Sequence, residues 1–311
     1  SPLSVTEGRQ LIDKLLGPGN GVAGTLKKGV VARAEGNPFY AEEIVRMLLD
    51  HQVILRKNGR LHVISRAAEI LDEIPGTIRS LILARLDQLS EGPRRTLQKA
   101  AVLGTSFPIR LLWGINGTTP DDVATHLKVL EERQFLVPSS FGAERGYAFR
   151  HTLVQQTVYN TLLKRDRQKI HQQAAAAIEK GNLGFQQERV EALAYHYAEG
   201  VKPTKAVPYL ITAAENAARR GAHEITIQHL RQAWSLMGAS PKDWDEQRLH
   251  VAICLGEALK LVGEYAETRR LLEGAIERMG HPDPAESPEQ LSLRIKGIRE
   301  LADVQAREGR L

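Results

Sequence analysis

Apolar residues recur at helical spacing near the start of the chain and predict three short helices. The first two lie near residues 5–17 and 26–35, and a glycine ends each of them. Asn37-Pro38 supplies an N-cap followed by a proline at the first helical position, so a third helix begins there. The period of this helix directs the following apolar side chains inward: Phe39, Ile44, Val45, Leu48 and Leu49.

Two β-prone runs within residues 53–64 flank Asn58-Gly59, a dipeptide that favours a tight hairpin turn. Helical periodicity then returns in four segments, near 77–89, 91–103, 108–115 and 120–133. A second pair of β-prone runs follows at 135–138 and 147–150, with a glycine-containing loop between them. Several short helices closed by a small hairpin predict a winged helix.

Helices alone fill the chain from His151 onward, and a repeat occurs within them. Six positions recur 42 residues apart: Ala214, Ala217, Gly221, Thr226, Leu230 and Ala233 are matched by Gly256, Leu259, Gly263, Thr268, Leu272 and Ala275. This spacing fits the tetratricopeptide pattern, in which small residues let two antiparallel helices approach closely and a glycine marks the turn. The period exceeds the usual ~34 residues, and we assign the excess to a linker near 239–243. Related positions occur one helix earlier, at Ala194, Tyr197, Ala206, Leu210 and Ala213, and begin a further repeat at Ile298, Ala302 and Gly309.

The composition agrees with packed helices, because aromatic residues make up only 5% of a chain whose hydrophobic content is 42%. The expected fold class is therefore all-α with two small β-hairpins. A length of 311 residues is large for a single core and predicts two or three domains, and the patterns along the chain divide it into three. They are a helical domain with a hairpin at 1–75, a winged helix at 76–165 and tetratricopeptide-like helical repeats at 166–311.

Charge and cysteine content narrow the expected partners and compartment. The net charge of +5 arises from 42 basic and 37 acidic residues spread along the chain, a mild excess that does not indicate nucleic acid. The single cysteine, Cys254, leaves no disulfide framework, so we expect a cytoplasmic protein. No apolar run reaches the ~20 residues that cross a bilayer, so no membrane partner is expected. The start at Ser1 has no targeting pattern, and we expect the natural protein to extend upstream.

The motifs predict no catalytic centre and no metal site. Residues 19–24 spell G-x-G-x-x-G, but that dinucleotide fingerprint follows a strand, whereas a predicted helix precedes it here. No G-x-x-x-x-G-K-[ST] motif occurs, so the chain alone is not expected to be an enzyme that hydrolyses ATP. Cys254 is interpreted as a core residue. Five histidines lack any paired metal-ligand spacing such as H-E-x-x-H: His171, His196, His223, His229 and His250.

The segment from Ala34 to Ile44 reads A-E-G-N-P-F-Y-A-E-E-I and resembles the lid signature of the STAND signalling ATPases. In that superfamily a Gly-x-Pro turn of the lid contacts the adenine of a nucleotide bound to a neighbouring P-loop domain. The resemblance places Gly36, Asn37 and Pro38 in this turn. Proline suits such a contact because its ring is rigid and apolar and has no N–H group. Gly36 would permit close approach of the backbone.

A second segment, residues 147–159, resembles the F-R-H-x-L-x-x-x-x-x-Y segment of bacterial STAND proteins that are fused to nucleotide cyclases, kinases or DNA-binding regulators. His151 falls where related apoptotic and plant resistance ATPases carry the histidine of a Met-His-Asp motif. The resemblance implies that His151, backed by Arg150, contacts the terminal phosphate of ADP. Thr152 stands in place of the aspartate of that motif.

The resemblance implies a conformational switch with no cofactor of its own. The lid at 1–75 and the winged helix at 76–165 would close over ADP or ATP held by an upstream P-loop ATPase domain, and the repeats at 166–311 would bind a protein or small-molecule inducer. Two alternatives remain open. One is a DNA-binding winged-helix regulator, whose reading helix at 121–133 would carry four acidic residues against two basic ones. The other is a plain tetratricopeptide adaptor.

Overall fold

The computed structural model describes residues 3–16, 24–50, 52–57, 60–63, 76–141, 144–181, 186–238, 244–281 and 286–309. Fifteen helices and five short strands lie in these ranges, which confirms the all-α class that the sequence predicts. The chain divides into two compact units, Ser1–Lys164 and Arg165–Leu311. This division lies one residue from the predicted start of the repeats, whereas the predicted boundary between residues 75 and 76 falls inside the first unit.

Three helices begin the first unit: α1 (Val5–Leu16), α2 (Gly24–Ala34) and α3 (Pro38–Asp50). Their apolar faces share one core that includes Ile12, Val30 and Ile44. The predicted N-cap of α3 is confirmed, because Asn37 Oδ1 accepts the backbone N–H groups of Phe39 at 3.1 Å and of Tyr40 at 3.2 Å. One of the inward assignments in this helix is wrong, since Leu49 is 39% exposed, whereas Leu48 is fully buried.

The first hairpin is confirmed as an antiparallel pair, β1 (Ile54–Lys57) and β2 (Arg60–Val63). Lys57 lies opposite Arg60, so two residues connect the strands, as the Asn-Gly signal predicts. Those two turn residues lie outside the described ranges.

The rest of the first unit combines five helices with a small antiparallel sheet. The helices are α4 (Ile78–Asp87), α5 (Glu91–Leu103), α6 (Ile109–Asn116), α7 (Pro120–Glu132) and α8 (Thr152–Asn160), and the strands are β3 (Ser106–Pro108), β4 (Leu136–Phe141) and β5 (Glu144–Phe149). The sheet has the order β3-β5-β4, so the predicted second hairpin is joined by a third strand that the sequence analysis missed. Phe107 anchors this strand, because its side chain is buried and meets the Phe149 ring edge-on at 6.3 Å.

The second unit is a helical repeat. Its helices are α9 (Lys164–Lys180), α10 (Gln186–Glu199), α11 (Pro203–Arg219), α12 (His223–Met237), α13 (Asp245–Leu261), α14 (Tyr265–Met279) and α15 (Pro288–Arg307). From α10 onward each helix packs on the next, and α13 also packs on α15. Gly221 and Gly263 have left-handed backbone conformations at equivalent turns, with φ of +72° and +82°. The assigned linker at 239–243 lies outside the described residues.

Small residues allow the close helix packing that the repeat predicts. Ala214, Ala217 and Ala233 are buried, as are their counterparts Leu259 and Ala275. The clearest case is the residue that corresponds to Ala214 in the next repeat. A Cβ atom added to Gly256 would lie 2.7 Å from the Thr268 methyl group, so the neighbouring helix occupies the space of a side chain.

Candidate functional site

The Gly36-Asn37-Pro38 turn connects α2 to α3 and is held by backbone hydrogen bonds. Asn37 N–H donates to the Ala34 carbonyl at 2.7 Å, and Leu3 N–H donates to the Gly36 carbonyl, also at 2.7 Å. Gly36 has a φ of +77°, which favours glycine at this position. Pro38 is exposed, so its ring is accessible from outside the unit.

A cleft of about 420 Å³ borders this turn on the side of α1 and α2. Its walls combine apolar side chains, among them Leu3 and Val31, with the cationic side chains of Arg9 and Lys28. Gly36 and Asn37 contribute to the lining. An apolar cleft with cations at its border can hold a flat apolar ring together with an anionic group.

His151 is the N-cap of α8. Its Nδ1 accepts the backbone N–H of Leu153 at 3.1 Å, so the proton of the neutral ring lies on Nε2. The imidazole is exposed and stacks on the Phe39 ring, with centroids 4.0 Å apart and planes inclined by 14°. Phe39 directly follows Pro38, so the two predicted site segments meet at this stack.

Arg150 is fixed between two elements instead of extending freely into solvent. Its Nη1 donates to Gln134 Oε1 at 2.6 Å, and its Nη2 lies 3.8 Å from Glu42 Oε2 on α3. The Arg150 backbone N–H donates to the carbonyl of Phe135 at 3.1 Å. The guanidinium therefore joins α3 to the segment before β4.

A buried ionic network, which the sequence analysis missed, holds α3 next to α4 and the end of α7. The Glu43 carboxylate is fully buried and accepts hydrogen bonds from both Arg46 and Arg85. Arg85 Nε also donates to Asp50 at 3.2 Å, and its Nη2 donates to the Arg133 carbonyl at the end of α7. Burial lowers the pKa of Arg46, and the Glu43 carboxylate opposes that shift.

Two aromatic and ionic contacts complete this network. The Arg85 guanidinium lies 4.6 Å from the centre of the Phe135 ring, and the Arg133 side chain pairs with Asp50 at 3.1 Å. The network therefore connects α3, whose first residue is Pro38, to α4 and to the end of α7. A sequence signal existed, because Glu43 and Arg46 interrupt the apolar face of α3.

Other sequence predictions have mixed outcomes. Residues 19–23 of the glycine-rich run lie outside the described ranges, and Gly24 begins α2. Cys254 is half-buried and lines a cavity, so its interpretation as a core residue is corrected. His171 and His196 form a buried pair with Nδ1 atoms 2.9 Å apart, which their spacing along the chain does not indicate.

Among the residues that the structure describes, no helix has the length and apolar character that crossing a bilayer requires. In the same ranges, no three or more His, Cys, Asp or Glu side chains cluster in a way that could hold a metal ion.

Comparisons with known proteins match parts of the chain. A family described as Domain of unknown function (DUF8739) matches residues 4–62, which hold α1 to α3 and most of the first hairpin. An uncharacterized protein of Rhizobium meliloti (strain 1021) is 32% identical over 250 residues. That match covers 78% of this chain and 23% of the rhizobial protein, so the chain spans about a quarter of the length of this relative.

One solved structure matches a large share of the chain at low identity. It is a Signal Transduction ATPase with Numerous Domains (STAND) protein with a tetratricopeptide repeat sensor, from Pyrococcus horikoshii. The identity is 11%, the match covers 92% of this chain and 48% of the archaeal one, and the TM-score is 0.32. A TM-score of this size does not establish a common fold.

Proposed function

We propose that this chain is the regulatory and sensor part of a STAND-type signal-transduction ATPase. In this proposal the first unit senses ADP or ATP bound to a separate upstream P-loop domain, and the helical repeat binds an inducer. The observation that carries the proposal is the stack of Phe39 on His151. It brings the Gly36-Asn37-Pro38 turn and the Arg150-His151 pair close enough for one nucleotide to reach both.

The chemistry of each group suits its proposed contact. The exposed Pro38 ring and the neighbouring apolar cleft would receive the adenine, because they offer flat apolar surface. His151 would donate its Nε2 proton to the terminal phosphate, while Nδ1 is occupied by the N–H of Leu153. Arg150 would add positive charge beside that phosphate. Hydrolysis belongs to the separate domain, since no P-loop motif occurs in this chain.

The buried ionic network supports a switch in which the lid and the winged-helix elements move together. Arg85 bonds to Glu43 and Asp50 on α3 and to the Arg133 carbonyl. A separation of α3 from α4 would therefore leave several charged groups without their partners, which is energetically costly. The closed state would therefore open by movement of this unit away from the nucleotide-binding domain. A coupling of ~1–3 kcal/mol between inducer and nucleotide is a normal magnitude for such a switch.

The alternatives receive less support. A DNA-binding role would bring α7 toward phosphates, yet Asp121, Asp122 and Glu132 are exposed on that helix. Tight binding of duplex DNA in a fluorescence-anisotropy titration at low salt would favour this role. A plain adaptor would require no nucleotide domain, so the absence of a P-loop from the upstream sequence would favour it.

The test uses the longer natural protein that contains the upstream domain. His151→Ala should release ADP about tenfold faster, because it loses one charge-assisted hydrogen bond to phosphate, and should raise basal activity. His281→Ala is the matched control, since His281 is an exposed histidine in the second unit. ADP release would be followed with a fluorescent analogue. Equal release rates in the wild type and His151→Ala would refute the proposed role of this residue.

A further inference from the structure

A cavity of about 470 Å³ lies in the second unit, where α11, α12 and α13 meet. Its floor is apolar or small, because Ala214, Leu230 and Ala258 are buried there. Leu261 stands at its border with 67% of its surface exposed, so apolar surface continues outward from the floor. This combination suits an aliphatic ligand segment that lies on the floor with one end near the rim.

Two carboxylates contribute to the lining from equivalent positions of the repeat. Glu215 and Glu257 lie 42 residues apart, and both belong to the cavity wall. Their side chains are 51% and 44% exposed, so both are accessible to a ligand. The repeat has therefore placed two acidic groups in one concave site.

The nearby cations neutralise these carboxylates only in part. Lys296 pairs with Glu257 at 3.0 Å, whereas the neighbour of Glu215 is His250 at 3.9 Å, which carries charge only when protonated. Arg219 also belongs to the wall, but its Nη2 donates to Asn216 on its own helix. Glu215 thus keeps a carboxylate that can accept hydrogen bonds from a cationic ligand.

The pKa of the single cysteine of the chain indicates the electrostatic environment inside this cavity. Cys254 lines the wall, and burial raises the pKa of its thiol to about 11. The carboxylates of Glu257 and Glu215 contribute further to that rise, while Lys296 opposes it. The environment of this thiol therefore disfavours negative charge.

We infer that this cavity binds an organic cation on an aliphatic stem, an alkylammonium or alkylguanidinium group, either free or as the side chain of a lysine or arginine in a peptide. The stem lies on the floor formed by Ala214, Leu230 and Ala258, and the cation bonds to Glu215 and Glu257. This inference names the ligand class of the sensor and rests on the proposed function for its regulatory meaning.

The first experiment uses the 311-residue chain and two readouts. Pentylammonium and butylguanidinium are titrated by calorimetry against the uncharged pentanol and the anionic pentanoate. In parallel, the rate of Cys254 alkylation by N-ethylmaleimide is measured with each probe present. The inference expects the cations to bind and to change the alkylation rate severalfold, because a bound cation covers part of the wall beside Cys254 and also favours its thiolate, while pentanol and pentanoate do neither. Binding of pentanoate in preference to the cations would overturn it.

The variants give effects of opposite sign. Glu215→Gln and Glu257→Gln should each weaken cation binding about tenfold, whereas the exposed control Glu199→Gln on α10 should leave it unchanged. Lys296→Gln should strengthen binding, because it frees Glu257. Arg219→Gln should not weaken it. Equal affinity in the Glu215→Gln and Glu199→Gln variants, or loss of binding in Arg219→Gln, would contradict the inference.

A further arm separates the two sources of the cation and the two proposals. The blocked tripeptide acetyl-Gly-Lys-Gly-amide is compared with its norleucine analogue: specific binding of the lysine peptide alone would assign a peptide source, and binding of the free amines alone a small-molecule source. In the longer protein, cation binding that leaves ADP release unchanged would refute the sensor role while the cavity assignment stands. A chain that binds no cation refutes the cavity assignment without affecting the His151 test.

Discussion

In the first unit, α3 is joined to α4 and to the end of α7 by buried charged side chains, whereas in the second unit α11 to α14 approach one another through alanine, glycine and threonine. Glu43 and Arg85 are at most 2% exposed, and each bonds to more than one partner. Where α13 contacts α14 in the second unit, Gly256 and Thr268 are so close that no carbon atom could be added between them.

The difference affects how each unit responds to change. A buried charge that loses its partner remains costly in a medium of low polarity, so the first unit should respond strongly to the removal of one charged group. Close apolar packing depends on shape, so the second unit should respond to added volume. The ionic arrangement also has one geometry in which all its groups are satisfied, so it favours a single placement of α3 against α4 and the end of α7.

The largest effect is expected from breaking the ionic network. Arg85→Met should lower the free energy of unfolding of the first unit by about 3 kcal/mol, the lower end of the range for a broken buried pair. The lower end applies because Glu43 keeps Arg46 and Asp50 keeps Arg133. Urea unfolding measures the loss, and amide hydrogen exchange assigns it to residues 1–164.

Arg95→Met is the matched control for that variant. Arg95 pairs with Glu91 at 2.6 Å, but the two side chains are 72% and 75% exposed. An exposed pair of this kind contributes less than about 1 kcal/mol. If Arg85→Met and Arg95→Met destabilised the chain equally, the buried network would not be what holds the first unit together.

The contrast between the units also explains what sequence reasoning could reach. Helix positions and the hairpin at Asn58-Gly59 were predicted because their signals are local: a 3.6-residue period, a cap or a turn dipeptide. The repeat was predicted because identical packing problems recur along the chain. The ionic network was missed because Arg85 meets Glu43 and the Arg133 carbonyl 42 and 48 positions away, with no periodic signal.

In the candidate site, too, the local features could be predicted from the sequence and the tertiary contacts could not. The N-cap at Asn37 and the proline after it were readable from three consecutive residues, and the structure confirms the cap. The stack between Phe39 and His151 depends on the tertiary fold, so neither segment alone predicts it. Strand β3 has only three residues, one of them proline, and is too short to show a period.

The next effect concerns a buried ionisable pair that is neutral. His171 and His196 share a hydrogen bond between their Nδ1 atoms, and burial lowers the pKa of His171 to about 3 and that of His196 to about 4. The unfolded chain therefore binds more protons below about pH 6.5, so the stability of the second unit is complete above that pH and falls as the pH decreases. Between pH 7 and pH 6 the two histidines together should cause a loss of about 1.4 kcal/mol.

Replacing both histidines by glutamine should flatten this pH dependence, because an amide pair can keep a hydrogen bond without titrating. His223→Gln, which changes an exposed histidine, should leave the dependence intact. Urea midpoints at pH 7, 6 and 5 provide the measurement. The same slope in the double glutamine variant and the wild type would show that other groups cause the acid sensitivity.

A smaller effect distinguishes two helical glycines of the second unit. Gly256→Ala adds a Cβ atom 2.7 Å from the buried Thr268 methyl group, and overpacking should outweigh the gain in helix propensity. A net loss of about 1 kcal/mol follows. Gly274 also lies in a helix, but nothing would meet its Cβ within 4 Å, so Gly274→Ala should stabilise by about 0.5–1 kcal/mol.

Thr268→Ser tests the cause of that difference, because it removes the methyl group and keeps the hydroxyl that donates to the Glu264 carbonyl at 3.0 Å. In the Thr268→Ser background, Gly256→Ala should cost less than it does in the wild type. A double-mutant cycle of thermal unfolding measures the coupling. Zero coupling would show that the two helices adjust without strain.

The smallest effect lies at the turn itself and separates its structural role from its proposed sensing role. Asn37→Ala removes the side chain that caps α3 and should cost about 1 kcal/mol. Asn37→Asp keeps an oxygen acceptor at the helix N-terminus, so its stability should stay within a few tenths of a kcal/mol of the wild type.

In the longer protein, however, the added negative charge of Asn37→Asp would lie beside the nucleotide and should weaken ADP retention. Thermal unfolding and ADP release are measured on both variants. If retention follows stability in both, Asn37 is only a cap; if Asn37→Asp is stable but loses ADP faster, the turn faces the nucleotide.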